Sequence, residues 1–348
     1  MAIHLLKCLM KRNNHLIPQI AEMENLRLAF WKARKGKEAM LYVDDYRKKL
    51  EANLVSLSNQ INNGQVAIGN YHYFTIYDPK ERIIGAAPFN QRVLHHALMN
   101  VCHPIFEKYQ IFDSYASRLG KGTYTALNRA ASFQKQFAYF LKLDVRKYFD
   151  SIDQQTLTTM LAVRFKEDKL LRIFYDITDS YQTQPGKGVP IGNLTSQYFA
   201  NHYLGLSDHF VKEKLCIKAY VRYMDDMVLW GNNKDALLAK GKLFESFILE
   251  KLQLVLKPFC LNSSSHGLPF LGYTVFPNKI HLNTNSRKRF KKKLVTFQYN
   301  LNAGIWSQQD YQKHVGPLLA FTNHANTFSY RQQCLHDKIK RMITEREH

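Results

Sequence analysis

The chain is short of paired cysteines, of metal-spaced histidines and of acid. Its five cysteines (Cys8, Cys102, Cys216, Cys260 and Cys334) stand far apart and form no C-x-x-C pair. That argues against a zinc ribbon or a disulfide-stapled secreted fold, and they read as small core hydrophobes in a reducing compartment. The fourteen histidines contain no H-x-x-x-H or H-E-x-x-H spacing, which argues against a zinc site. No apolar run is long enough to span a bilayer, and no basic amphipathic helix stands apart from the body of the chain. Near the N-terminus the apolar residues precede Lys11-Arg12, the reverse of a secretory signal. The acid deficit is the largest anomaly. Asp plus Glu number 28 against 49 Lys plus Arg, a net charge of +21, alongside 22 Phe and 20 Tyr. Excess positive charge with many stacking-capable rings implies a polyanionic partner, most simply nucleic acid.

With 348 residues the chain can bury a sizeable core divided into two or three subdomains. Helical periodicity first places Met23, Leu26, Phe30 and Ala33 on one face. A second helix is expected to align Tyr46, Leu50, Leu54, Leu57 and Ile61 before Asn63-Gly64 stops it. Residues 66–77 and Arg82–Ala87 are rich in aromatic and β-branched types around Asp78-Pro79-Lys80-Glu81, which predicts a hairpin. Lys80 and Arg82 near its bend suit phosphate contacts, although on local sequence the bend reads more readily as a solvated turn. Asn90 is expected to cap a helix that ends before Pro104. Arg118-Leu-Gly-Lys121-Gly is a small basic loop that lacks the full P-loop pattern; it is either a phosphate contact or a generic turn. Asn193 opens a helix with Leu194, Tyr198, His202, Leu206 and Phe210 on one side. Leu254–Leu256 and Pro269–Phe276 are predicted strands. Arg287-Lys288-Arg289-Phe290-Lys291-Lys292-Lys293 then places six cations in seven residues over an apolar stripe of Phe290, Leu294, Phe297 and Leu301. A helix built that way packs on one side and tracks a nucleic-acid backbone on the other.

The most informative stretch is Lys218–Gly231. Two short β-favouring runs flank Asp225-Asp226 with room only for a tight turn. Alone, the pair reads as ordinary turn aspartates as readily as metal ligands. A third carboxylate decides between them: Phe137–Asp144 is a strand whose far end delivers Asp144. Three acids converging in a compact α+β layer could hold two Mg²⁺ ions and support in-line nucleotidyl transfer.

At this point the residues resemble a known family. Tyr223-Met-Asp-Asp226, preceded by the strand to Asp144 and followed by Phe270-Leu271-Gly272-Tyr273, is similar to reverse transcriptases. The resemblance implies a right-hand polymerase fold with fingers, a palm of antiparallel sheet plus helices, and a helical thumb. Its segments would be a helical extension (1–64), fingers with part of the palm (65–143), palm with an interleaved fingers segment (144–283) and thumb (284–348). It further implies that Asp144, Asp225 and Asp226 are catalytic and hold two Mg²⁺ ions. Lys80, Arg82, Phe149, Ile191 and Gln197 would meet the dNTP, with Phe149 excluding a ribose 2′-hydroxyl. Phe270–Tyr273 would grip the primer, and the basic helix with Arg118 and Lys121 would contact nucleic acid. Within the family, Ile191-Gly-Asn-Leu-Thr-Ser-Gln197 resembles the diversity-generating retroelement type, related to group II intron and retron enzymes. That resemblance implies a template RNA, an RNA/cDNA hybrid, errors opposite template adenines, a small basic accessory protein, an oligomeric assembly and a bacterial or phage-encoded cytoplasmic setting. Its rivals are an antiphage-defence or retron-type enzyme and a non-catalytic RNA-binding scaffold.

Overall fold

A computed structural model describes residues 12–77 and 81–334. The chain forms two compact units that share it in alternating pieces. The first takes Met1–Arg118, Asp144–Cys216 and Lys242–Lys257; the second takes Leu119–Leu143, Ile217–Gly241 and Pro258–His348.

The first unit is mostly helical. It opens with α1 (Ile17–Ala21), α2 (Met23–Arg34), α3 (Leu41–Lys48) and α4 (Leu50–Asn63). The Glu167 carboxylate accepts from the N–H groups of Leu16 and Ile17 at the start of α1, at 2.7 and 3.2 Å, meeting donors that a helix start leaves without partners. The single helix expected from Tyr46 to Ile61 is in fact two, broken at Lys49 (φ −116°, ψ 30°). The break lets Tyr46 stack on Phe30 and meet Phe89 edge-to-face, with centroids 5.9 and 5.2 Å away, while Leu54 and Ile61 are fully buried. Gly64 ends α4 at φ 68°, as its position after Asn63 implied.

Strands β1 (His72–Ile76) and β2 (Arg82–Ala86) form the expected antiparallel hairpin, with Phe74 opposite Ile84. Lys80 lies outside the described residues. Helix α5 (Phe89–Tyr109) starts after Pro88, so Asn90 is not its cap, and it continues through Pro104. An internal proline costs a helix about 3 kcal/mol. Beyond it the buried Phe106 ring meets Phe165, Phe174 and Phe199 at centroid distances of 5.4, 6.5 and 6.3 Å, and that burial offsets the loss. The hairpin and α5 are joined in this unit by α7 (Tyr148–Ser151), α8 (Gln154–Arg164), α9 (Asp168–Asp179) and α10 (Leu194–His209). Helix α10 is enclosed on most sides: Phe199, Ala200, Tyr203 and Ser207 are buried, whereas Leu194, Tyr198 and Leu206 on the anticipated face are only half-buried.

The second unit contains α6 (Thr123–Gln136) and a four-stranded sheet of β3 (Tyr139–Asp144), β4 (Tyr220–Tyr223), β5 (Asp226–Gly231) and β6 (Cys260–Ser263), in the order β4-β5-β3-β6. The pairings β4–β5 and β3–β6 are antiparallel. Between β5 and β6 runs α11 (Lys234–Leu252), which passes into the first unit at Lys242. Leu254–Leu256, in the first unit, is not a strand: it supplies one bridge, Val145 to Leu256. Pro258 follows with no N–H to extend a ladder, and Cys260–Ser263 pairs with β3 instead. A second sheet, β7 (Leu268–Phe270), β8 (Tyr273–Val275) and β9 (Ile280–Leu282), is antiparallel throughout. The basic segment lies on α12 (Thr284–Asn302), followed by α13 (Gln308–Asn323). Phe290, Leu294 and Cys334 form its small core. Mixed helix and antiparallel sheet is the expected fold class. Of the cysteines, Cys102 and Cys334 are buried, but Cys216 and Cys260 are exposed, against expectation; Cys8 lies outside the described residues. No helix among the described residues is long and apolar enough to cross a membrane.

Candidate active site

In the second unit, the register of β4 and β5 closes at Tyr223 opposite Asp226, leaving Met224-Asp225 as a two-residue loop. Such loops demand positive φ, normally supplied by Gly or Asn. Here Met224 takes φ 53°, a conformation that costs an L-residue roughly 1–3 kcal/mol and clusters at functional sites. The flanking Val221, Met227, Val228 and Leu229 are fully buried and hold the turn in place. Arg222, also fully buried, donates from Nη1 to the Met224 carbonyl at 3.2 Å, so a permanent positive charge is held against the backbone of the turn. Tyr223 is fastened at the side, its hydroxyl accepting from Thr123 Oγ1 at 3.2 Å. Asp226 meets Lys142 of β3, with Nζ 3.0 Å from Oδ1 and 3.2 Å from Oδ2.

In the first unit, Asp144 is held by one residue twice. Lys257 Nζ lies 2.7 Å from Oδ2, and the Lys257 N–H donates to the Asp144 carbonyl at 2.8 Å. Asp144 Oδ1 is buried without a hydrogen-bond partner, an arrangement that is costly unless a cation serves it. Among the described residues no three His, Cys, Asp or Glu side chains group as a metal cage. Magnesium is ordinarily held by one or two carboxylates plus substrate phosphates rather than by an all-protein cage, so these hard oxygen donors fit it.

Other predicted residues fall in two groups. In the first unit, Ile191 accepts from the Gly85 N–H at 2.9 Å, and Val189 donates to the Phe149 carbonyl at 2.9 Å. The loop before α10 is thereby tied both to β2, which begins at Arg82, and to α7, which carries Phe149. Gln197 Oε1 accepts from Ser117 Oγ at 3.0 Å. Arg118 is a clamp on its own loop: Nε and Nη2 bind Glu107 at 2.9 and 2.6 Å, and Nη1 donates to the Ile111 and Ser114 carbonyls. That use as a structural residue differs from the phosphate contact anticipated. In the second unit, Lys121 lies on the loop before α6. Leu271 and Gly272, at φ 50° and 88°, form a two-residue turn between Phe270 and Tyr273, and the Tyr273 hydroxyl donates to the Phe321 carbonyl at 2.6 Å. On α12, Arg287, Lys288, Lys291, Lys292 and Lys293 are exposed, while Arg289 is half-buried near Ser286.

Sequence reasoning missed Lys142, Lys257 and Arg222, the cations beside the acids. It also missed a cleft of about 850 Å³ in the first unit, whose lining includes Lys35, Lys37, Tyr42, Phe74 and Arg92 and no carboxylate. Burial, with the nearby charges of Lys32 and Lys37, pushes the His96 imidazole at its edge down to about 4.

The family model for "Reverse transcriptase (RNA-dependent DNA polymerase)" matches residues 77–275, which include all three acids. The chain belongs to the reverse transcriptase family. Curated relatives include the group II intron-encoded protein LtrA of Lactococcus lactis subsp. cremoris, 25% identical over 38% of this chain and 23% of its own length. Another is a 91 kDa protein in the cob intron of Schizosaccharomyces pombe, 23% identical over 42% of this chain and 18% of that protein. This chain therefore spans about a fifth of the length of these family members. Solved structures similar to it include Candida albicans telomerase in complex with a telomeric RNA fragment (14% identity, 78% of this chain, 55% of that one, TM-score 0.47). Apo telomerase from Candida tropicalis is similar at 13% identity, over 79% and 66% of the two chains, with a TM-score of 0.47.

Proposed function

We propose that this chain is an RNA-directed DNA polymerase that builds cDNA from dNTPs on a template RNA. The observation that carries the reading is the Tyr223-Met-Asp-Asp226 turn, strained at Met224 and set over the buried Arg222, inside the segment that matches the family. Asp144 ends β3, which neighbours β5 in the sheet order. With Asp225 it would hold divalent ions, and Asp226 completes the acidic set. When bound, such ions activate a primer hydroxyl and neutralise charge on the departing pyrophosphate. The chain's own residues do the positioning. Arg82, with Lys80, meets the triphosphate from the β1–β2 hairpin. Phe149 presents its ring where a ribose 2′-hydroxyl would otherwise fit. The turn Phe270–Tyr273 holds the primer end, and the exposed lysines of α12 follow the RNA/cDNA hybrid. In the first unit, the acid-free cleft with Phe74 and Tyr42 offers stacking surfaces and cations to unpaired template. On this division of labour the fingers, palm and thumb follow the segments that the sequence implies, and Asp225→Asn should reduce RNA-templated primer extension by on the order of 10³-fold, the equivalent of several kcal/mol of lost charge stabilisation. Retained extension in that variant would overturn the assignment.

Within this activity we infer low fidelity of the diversity-generating kind. Ile191 offers the nascent pair an aliphatic surface, with its own backbone carbonyl engaged by Gly85. An aliphatic side chain cannot hydrogen-bond the incoming nucleotide, so part of the geometric check on pairing is lost. Ile191→Gln should lower misincorporation opposite template adenine when cDNA is sequenced; an unchanged error spectrum refutes the inference. By the same resemblance a structured template RNA and a small basic accessory protein accompany the enzyme. The likeness to intron-encoded proteins favours, as a second reading, a role in intron mobility. Activity confined to RNA carrying intron sequence would support it.

A further inference from the structure

Resting on the polymerase reading above, we propose that Lys142 is a positioning residue that couples the acidic hairpin to the turn that holds the primer. Lysine is rarely buried on an interior strand unless paired, because desolvating an ammonium is costly. Lys142 is half-buried on such a strand: β3 lies between β5 and β6, and Lys142 pairs with Cys260 of β6. Its side chain is 21% exposed and that of Asp226 is 24% exposed. Two acceptors hold the ammonium. One is the Asp226 carboxylate, with both oxygens within 3.2 Å. The other is the Pro269 carbonyl, at 2.9 Å.

Pro269 is the middle residue of β7, an edge strand of the second sheet, where a residue without an N–H is tolerated. The next residue is Phe270, and after it come Leu271 and Gly272 at positive φ. Beyond the turn, the Gly272 carbonyl accepts from the Asn283 N–H at 3.1 Å, and Tyr273 donates to Phe321 on α13. A continuous path therefore runs from Asp226 through one ammonium to Pro269, and from there through the turn to the helices that follow. Lys142 is the joint in that path between the two sheets. The pairing also gives Asp226 a task besides its place in the acidic set: it anchors the joint.

A merely structural lysine and a positioning lysine differ in what their removal changes. Lys142→Met should leave the protein folded, since the stem is kept and only the ammonium is lost. It should lower kcat for primer extension by about 10²-fold, the scale expected when reacting groups shift by about 1 Å, with the KM for dNTP within twofold of the parent. Lys142→Arg, whose fork can span both acceptors, should recover most of that loss. A second readout needs neither turnover nor divalent ions: 2-aminopurine at the primer 3′ end, bound to protein in EDTA, should report a changed terminal environment in Lys142→Met and an unchanged one in Asp225→Asn. Asp226→Asn combined with Lys142→Met removes both charges of the pair without rebuilding the link to Pro269; because Asp226 belongs to the acidic set, its readout is the terminal fluorescence in EDTA, which should stay changed. A double variant restored to parental terminal fluorescence would reduce the role of Lys142 to charge balance and overturn the proposal. So would a Lys142→Met enzyme with parental kcat and parental terminal fluorescence. Failure of the parent protein itself to extend a primer would instead sink the polymerase reading, leaving these variants uninformative about catalysis while the fluorescence arm still reports on the joint.

Discussion

Replacing Gly192 with alanine should dislodge β2, and with it Arg82. Gly192 takes φ 122°, and a Cβ built there lies 2.9 Å from Ile84 Cγ2 and 3.2 Å from the Gly85 carbonyl oxygen. Two costs combine. A strongly positive φ strains an L-residue by roughly 1–3 kcal/mol, and forcing a methyl into packed surroundings adds roughly 1–3 kcal/mol. Ile84 sits in a paired strand, so relief requires β2 to retreat, which breaks the 2.9 Å hydrogen bond from the Gly85 N–H to the Ile191 carbonyl. The expected sum is about 2–6 kcal/mol of stability, together with a several-fold rise in KM for dNTP as Arg82 moves. Gly186 is the internal control. Its φ is 73° with no atom within 4 Å of an added Cβ, so Gly186→Ala should show only the conformational cost, about 1–2 kcal/mol. Urea unfolding and single-nucleotide extension measure the two quantities. If Gly192→Ala loses no more stability than Gly186→Ala and keeps the parental KM, the coupling of β2 to the loop is wrong.

Other outcomes follow from the same structure. Burial holds His95 and His202 down to about 3, from an ordinary 6.5, so both stay neutral in the fold while the unfolded chain takes up protons. Their stabilising contribution is complete above about pH 6.5 and is lost as pH falls towards 3, at up to about 1.4 kcal/mol per pH unit for each; His95→Gln should flatten the pH dependence of urea midpoints by one proton. Removing Gln134, whose Oε1 accepts from Trp230 Nε1 at 2.8 Å and whose Nε2 donates to the Val275 carbonyl at 2.8 Å, strands buried polar groups, and Gln134→Leu should cost about 1–3 kcal/mol in thermal melts. Arg118→Ala should destabilise the protein while leaving the salt dependence of RNA binding unaltered. Lys288→Gln and Lys292→Gln on α12 should do the reverse, each reducing the slope of log K against log salt by roughly 0.7–0.9.

The acidic hairpin was legible in the sequence because its signal is local: β-favouring runs on both sides leave room only for a tight turn, although that turn falls on Met224-Asp225, one residue before the Asp225-Asp226 tip expected, and Asp226 opens β5. The β1–β2 hairpin was legible for the same reason. The turn at Leu271-Gly272 was hidden inside an apolar run, since a leucine at positive φ is not a residue that announces a bend. Pro104 read as a stop because an isolated helix would end there; burial of Phe106 against three distant phenylalanines overrides that preference. The Arg118 loop read as either a phosphate contact or a generic turn because Glu107 lies a helix end away in sequence, and nothing local indicates their pairing. Lys142 and Lys257 went unremarked because a lysine beside a strand usually points to water, and only the fold reveals that each faces a carboxylate. The acids themselves can be found by pattern, but their counter-charges depend on tertiary placement.

The alternation of the chain between its two units governs how the protein can be made. It passes from one to the other at 118/119, 143/144, 216/217, 241/242 and 257/258. Neither unit is complete on a ribosome until the chain through Lys257 has emerged, and no contiguous fragment contains the whole of the first without pieces of the second. Truncation libraries should therefore yield aggregates rather than working halves, and nascent chains halted before Lys257 should engage chaperones.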